Sequence, residues 1–220
     1  MPTVNRRLAL SVSGAAAAAA ATAAAVGLLA GPAAAAPSCK TVPQPKTRAG
    51  NDQKAPKRLL DTEKSYDIVV DTSCGSFTIR LDVKRAPHIA ASLVSLAKAR
   101  FYDHTIFHRI VPGFVIQGGD PTATGSGGPG YSVADTPPKT LKYTLGVVAT
   151  AKTSTEAPGT TGSQFFVVTG RDAEQLPPDY GLVGKVTKGL DVALFIGTLG
   201  DAQQQPTRII EITRMTVKVS

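Results

Sequence analysis

A chain of 220 residues with 42% apolar and only 18% charged side chains can bury one core of ordinary size, and 21 glycines with 16 prolines make it turn-rich rather than disordered. Its 24 basic and 16 acidic residues leave a formal charge of +8, but they are scattered, and no basic run is interleaved with aromatics, which speaks against nucleic acid as a partner. Two cysteines and three dispersed histidines, His88, His104 and His108, offer no metal-ligand spacing.

The chain opens on Arg6 and Arg7, followed by an uncharged stretch from Leu8 to Ala36 that ends in Pro32 and a run of alanines. This is signal-peptide anatomy and predicts export, to the cell envelope or beyond it. A retained membrane anchor is the competing reading, since such a stretch can span a bilayer, but alanine is weakly hydrophobic and Pro32 interrupts it, which favours cleavage. The twin arginine loosely resembles a folded-protein export signal, and Ala36, Pro37 and Ser38 ahead of Cys39 make a poor lipidation box.

Residues 37–65 are rich in Lys, Pro, Gln and Asp without apolar periodicity, which predicts a flexible, solvated linker. Cys39 in this stretch and Cys74 beyond it are the only cysteines, and both follow the leader into an oxidising compartment. A disulfide between them is expected, two free thiols being the alternative.

From Tyr66 the periodicity is that of strands. Tyr66, Ile68 and Val70 alternate with polar residues, and after a turn at Ser73 to Gly75 so do Phe77, Ile79 and Leu81, which predicts a hairpin with one buried face. Pro87 opens a helix that carries Ile89, Leu93, Leu96 and Ala97 at helical spacing. Apolar runs at Ile106 to Val111 and Phe114 to Gln117 precede a long stretch, Gly118 to Lys142, too rich in breakers for regular structure. Strands are expected at Leu145 to Ala151, Gln164 to Val168 and Leu182 to Val186, with a second short helix from Leu190 to Ile196. In the closing strand Ile210 and Ile212 fall on one parity and Met215, Val217 and Val219 on the other, so a bulge is expected near Thr213 and Arg214. Many short strands with two helices suggest one domain over residues 66–220, built as a closed antiparallel barrel.

Two tempting motifs fail. Gly125, Gly127 and Gly130 spell the dinucleotide pattern, but Pro129 lies inside it and no strand-then-helix frame surrounds it, so no nucleotide cofactor is implied. No serine sits in the nucleophile-elbow pattern, and the histidines are not ordered with a nucleophile and an acid.

The segments FHRIVPGFVIQGGD, Phe107 to Asp120, and GSQFF, Gly162 to Phe166, closely resemble the signature segments of cyclophilins, and the resemblance runs on through GLVGKVTKGLDV at Gly181 to Val192. It implies an eight-stranded barrel capped by two helices and a peptidyl-prolyl cis/trans isomerase that needs no cofactor. The partners it implies are proline-containing polypeptides, and a monomer is expected.

By the same resemblance Arg109 is the catalytic arginine. Rotation about an X-Pro bond faces a barrier of ~18–20 kcal/mol, and twisting localises a lone pair on the prolyl nitrogen. A fixed cation that donates to that nitrogen favours the twisted state. Phe114, Val115, Phe166 and Leu176 match a greasy slot for the proline ring, Gln117 and Gln164 a polar clamp on peptide backbone, and Ala151 and Lys152 the strand beside the substrate. Alternation alone reads the phenylalanines equally well as barrel core. His108 is left out of the site, because the reaction transfers no proton.

The departures are local. Gln175 stands where many cyclophilins carry tryptophan, Tyr180 where histidine is usual and Lys152 where asparagine is usual, and extra residues lie around Thr155 to Pro158. Lys152 reads as a solvated cation, or more sharply as one that favours an acidic peptide residue. Loss of the indole is expected to weaken cyclosporin binding while sparing catalysis. A non-catalytic proline-peptide module and a holdase chaperone are the rival functions.

Overall fold

The computed structural model describes residues 37–220, and the expected leader, residues 1–36, lies outside them. Strands β1 (Tyr66–Thr72) and β2 (Gly75–Leu81) form the hairpin that the alternation predicts, with Ile68 opposite Ile79 and Val70 opposite Phe77, all four fully buried on one face. Pro87 occupies the first turn of α1 (Pro87–Lys98), which buries Ile89, Leu93 and Leu96.

The remaining strands are β3 (Thr105–Ile106), β4 (Arg109–Val111), β5 (Val115–Gly118), β6 (Val133–Ala134), β7 (Val147–Thr150), β8 (Thr160–Thr161), β9 (Phe165–Val168), β10 (Leu182–Lys188) and β11 (Glu211–Val219). Helix α2 (Leu190–Gly197) follows β10 and packs on β2, β4 and β5. A single nine-stranded sheet has the order β3-β11-β1-β2-β10-β7-β9-β5-β4, and every ladder described in it is antiparallel. It curls through 296° and stays open, so the expected closed eight-stranded barrel is corrected to a half-barrel. The reason lies at Phe107. This ring is fully buried, and its backbone N–H donates to the Ile210 carbonyl in continuation of the β3–β11 pairing, so one run breaks there into β3 and β4, the two ends of the sheet order. One bridge, Ile106 to Asp120, spans the opening.

Where β11 pairs with β1 the register slips between Asp71 and Thr72, leaving Thr213 without a partner. That bulge lets Ile212 and Met215, of opposite parity, both turn inward. The breaker-rich stretch 118–142 departs from its expectation at one point, where Val133 and Ala134 pair with Thr161 and Thr160 in a separate two-stranded sheet. Pairing this short rests on tertiary contact and leaves no period in the sequence.

Sheet strands β5, β7, β9 and β10 are covered on both faces. Ile116, Val148, Phe165 and Val167 point into the principal core, whereas Val115, Ala149, Phe166, Val168 and Leu182 form a second cluster on the outer face with Tyr143. Strands buried on both sides read as continuous apolar runs, which is why FFVV shows no alternation.

Residues 37–65 carry no helix or strand, and they lie against the domain as a strap. Cys39 is joined to Cys74, the Lys40 N–H donates to the Ser73 carbonyl at 2.8 Å, and the Ser65 N–H donates to the Ser220 carbonyl at 2.8 Å. A linker composition therefore coexists with fixed placement, because the anchors are backbone groups and one cross-link rather than buried side chains.

Candidate active site

Strands β4 and β5 form a tight hairpin in which Arg109 faces Gln117, Ile110 faces Ile116 and Val111 faces Val115. The two isoleucines are fully buried in the core, so by strand alternation Arg109 and Gln117 stand side by side on the outer face. On the neighbouring strand Phe166 lies opposite Gln117, and Ala149 of β7 lies opposite Phe166. Position 166 thus lies on the outer face, within the second apolar cluster, and position 165 faces the principal core.

The hairpin turn is positioned by glycine. A Cβ on Gly170 would fall 1.7 Å from the Gly113 carbonyl oxygen, so these backbones can meet only without it. The contact allows the Thr169 and Gly170 N–H groups to donate to the Phe114 carbonyl at 2.9 and 3.1 Å, which fixes Phe114 at the rim. After β9 a short 3-10 helix, Arg171–Gln175, delivers Leu176. The Tyr143 hydroxyl donates to the Tyr180 carbonyl at 2.7 Å and accepts from the Tyr180 N–H at 2.9 Å, setting the Tyr180 ring edge-on to Phe166 with centroids 5.5 Å apart.

These elements enclose a cleft of about 140 Å³ lined by Phe114, Val115, Phe166, Leu176 and Tyr180, with Arg109, Gln117, Ala151 and Lys152 along its edge. Of the residues expected at the site, only Gln164 stands back from it. Gln175 is exposed and outside the lining, so the wall on that side is open.

Gln164 serves the cleft indirectly. Its Nε2 donates to the Gly125 and Gly127 carbonyls at 2.8 and 3.0 Å, and its Oε1 accepts from Gln117 Nε2 at 3.0 Å. Gln117 Oε1 in turn accepts from Arg109 Nη1 at 3.3 Å. On the other side Arg109 Nε donates to Gln204 Oε1 at 2.8 Å. The guanidinium is held from two directions, and its Nη2 group is bonded to no protein atom among the described residues. Burial lowers the Arg109 pKa, countered in part by Tyr180, yet a guanidinium remains charged at any physiological pH. No carboxylate among the described residues lies within ion-pair distance of it.

Gln204 is the residue that sequence reasoning missed. It lies 95 positions from Arg109, in a loop where Asp201 Oδ1 accepts from the Gln203 and Gln205 N–H groups at 2.9 and 2.8 Å. Its backbone is left-handed, with φ of 65°, and its carbonyl accepts from the Ile110 N–H at 3.0 Å. The aspartate predicts a turn, but nothing in the sequence indicates what the turn holds.

Lys152 is half-buried rather than solvated. Its ammonium donates to the Thr153 and Glu156 carbonyls at 3.1 and 3.0 Å and lies 5.9 Å from the Tyr180 ring centroid, so it closes the loop bearing the extra residues. His108 lies outside the cleft lining, and both of its ring nitrogens are buried without a hydrogen-bond partner. Among the described residues no group of His, Cys, Asp and Glu is arranged to hold a metal ion.

Comparison with known proteins places this arrangement. The family model described as cyclophilin-type peptidyl-prolyl cis-trans isomerase matches residues 67–217. A peptidyl-prolyl cis-trans isomerase of Arabidopsis thaliana, CYP18-2, is 34% identical over 156 residues, covering 69% of this chain and 93% of its own. A peptidyl-prolyl cis-trans isomerase-like 1 protein of Neurospora crassa is 36% identical over 156 residues, again covering 69% of this chain and 93% of its own. Among solved structures, a cyclophilin-type isomerase of Cryptosporidium parvum superposes with a TM-score of 0.64 at 29% identity, covering 70% of this chain and 98% of that one. The same protein solved in the presence of the dipeptide Ala-Pro gives 0.63 at 30% identity, over 69% and 98% of the two chains. With the signature hairpin, the outer-face cleft and these relatives in agreement, the chain belongs to the cyclophilin-type peptidyl-prolyl cis-trans isomerases.

Proposed function

We propose that this isomerase acts on X-Pro bonds of exported or cell-envelope polypeptides, with Arg109 as the catalytic residue and the cleft formed by Phe114, Val115, Phe166, Leu176 and Tyr180 as the proline slot. The observation that carries this reading is a half-buried guanidinium that, among the described residues, has no carboxylate partner and leaves its Nη2 group unbonded beside a cleft of about 140 Å³ walled by Phe114, Val115, Phe166 and Leu176.

Seating the proline ring against Phe114, Phe166 and Leu176 removes apolar surface from water and orients the bond to be rotated. Gln117 and the Ala151 strand engage the flanking peptide backbone, so one side of the bond is held while the other turns. As resonance is lost the prolyl nitrogen gains a lone pair, and the free amino group of Arg109 donates to it more strongly than to either planar state. Turnover of about a thousand per second requires removing roughly 7 kcal/mol from the barrier. One charged donor supplies roughly 3–4 kcal/mol of that, and restraint of the peptide supplies the rest.

Arg6 and Arg7, the uncharged stretch behind them and the Cys39–Cys74 bridge support action outside the cytoplasm. The leader is cleaved in this reading, and the mass of the mature N-terminus tests it, an intact Met1 in the membrane fraction being the contrary result.

For the chemistry, the test is NMR exchange or a protease-coupled assay on an X-Pro peptide. Arg109→Ala is expected to lose about 10²–10³-fold in kcat with peptide binding retained. Full catalysis in Arg109→Ala would sink the mechanism, and no catalysis in the wild-type protein would leave a peptide-binding module.

A further inference from the structure

Beside the proline cleft lies a second depression of about 590 Å³, which shares Gln117, Ala151 and Lys152 with it. Its lining is mixed: residues 125–132, including Pro129 and Tyr131, supply much of it, Gln164, Lys152 and Glu156 bring polar groups, and no Leu, Ile, Val, Phe or Met takes part. One wall is Asn51, which belongs to the strap and lies outside the segment 67–217 matched by the family model.

Asn51 is held in place by fitted contacts. The Gln53 N–H donates to the Pro129 carbonyl at 3.0 Å and the Arg48 N–H to the Pro121 carbonyl at 3.0 Å, so the strap grips both ends of the glycine-rich loop. The Arg48 guanidinium donates to the Phe101 and Asp103 carbonyls. Strap and loop approach so closely that each needs glycine. At Gly50, φ is +70° and a Cβ would lie 2.3 Å from Pro121 Cγ, while at Gly130, φ is +91° and a Cβ would lie 2.2 Å from the Asn51 carbonyl oxygen. The same loop presents the Gly125 and Gly127 carbonyls that hold Gln164.

From this we infer that the strap is part of the substrate groove. Asn51 is a specificity-determining residue that, with the loop opposite it, selects a hydrogen-bonding side chain on a residue flanking the X-Pro unit. The Arg48 and Gln53 main-chain contacts hold it there, and the Cys39–Cys74 bridge anchors the strap upstream of them. This deepens the isomerase reading and rests on it, since it takes the bound ligand to be a proline peptide.

The test uses the mature chain and a panel of X-Pro peptides carrying Lys, Glu, Gln or Leu at each flanking position, with Kd read by NMR titration and catalysis by exchange in the same samples. Asn51 is exposed, so substitutions there leave folding intact. At one flanking position Asn51→Asp is expected to raise the affinity ratio of Lys over Glu peptides about three-fold, and Asn51→Lys to lower it by a similar factor. At that position the Cys39→Ser, Cys74→Ser double variant is expected to show a weaker preference for Gln over Leu. Equal ratios in both Asn51 variants, or a shift spread evenly over all positions as net charge alone produces, would overturn the inference. Absent catalysis with these ratios still moving would refute the isomerase reading and not this one, whereas no peptide binding by the wild-type chain would refute both.

Discussion

Arg109 and Gln204 meet across 95 residues of chain, Nε donating to Oε1 at 2.8 Å, and the partner is itself held in a left-handed conformation by the Asp201 turn. A non-glycine residue in that region costs about 1–2 kcal/mol. Replacing Gln204 with glycine therefore removes the acceptor and relieves the backbone together. Gln204→Gly is expected to lower kcat by about ten- to a hundred-fold, the worth of one hydrogen bond to a charged group, with KM and thermal midpoint little changed. Gln204→Glu keeps an acceptor but sets a carboxylate against the guanidinium, and is expected to lower kcat as well by neutralising the cation. A fall in stability in step with activity in Gln204→Gly would make the loop structural only.

His108 supplies a pH dependence. Burial lowers its pKa, and Arg109 adds to that while Asp120 opposes it. In the unfolded chain the imidazole titrates near its usual value of ~6.5, so below that pH the unfolded state binds the proton more readily. The stability contribution is complete above about pH 6.5 and falls as the pH drops towards the folded value, with a slope of at most ~1.4 kcal/mol per pH unit. Urea titrations between pH 7 and about 5 should show that fall in the wild-type protein and a shallower one in His108→Phe.

The Cys39–Cys74 bridge closes a loop of 35 residues, for which loop entropy gives about 4 kcal/mol. For a domain of this size the double serine variant is expected to melt roughly 10 °C lower. Differential scanning calorimetry with and without reductant checks this, and reductant is expected to move the wild-type midpoint and leave the variant's unchanged.

The open wall at Gln175 predicts weak cyclosporin binding, as loss of the family's indole implies. Gln175→Trp would add an aromatic surface beside Leu176 and is expected to tighten cyclosporin about ten-fold or more, with exchange rates on a short X-Pro peptide within about two-fold of wild type. Fluorescence titration measures it.

The signature hairpin was legible in the sequence because its chemistry is local: Arg109 and Gln117 are eight residues apart, and strand parity carries them to one face. The slip near Thr213 was legible for the same reason, since Ile212 and Met215 disagree in parity and only an unpaired residue reconciles them. Phe165 and Phe166 were ambiguous because a strand covered on both sides leaves no period to read. Gln204 and the strap were hidden by another cause. Both act through contacts long in sequence and made by polar side chains or main-chain amides, which composition reads as solvated loop. The closed barrel was over-read, since strand count and order do not report whether the last edges pair.

The row from the glycine loop through Gln164 and Gln117 to Arg109 has a direction. Each amide turns its donor end towards the loop and its oxygen towards the guanidinium, so two dipoles lie head to tail with their negative ends facing the cation. In water such an arrangement must assemble anew for each reacting bond. Here the glycine-loop carbonyls orient it before a peptide arrives, so the cleft behaves as a small piece of frozen solvent, already polarised for a nitrogen that has yet to acquire its lone pair.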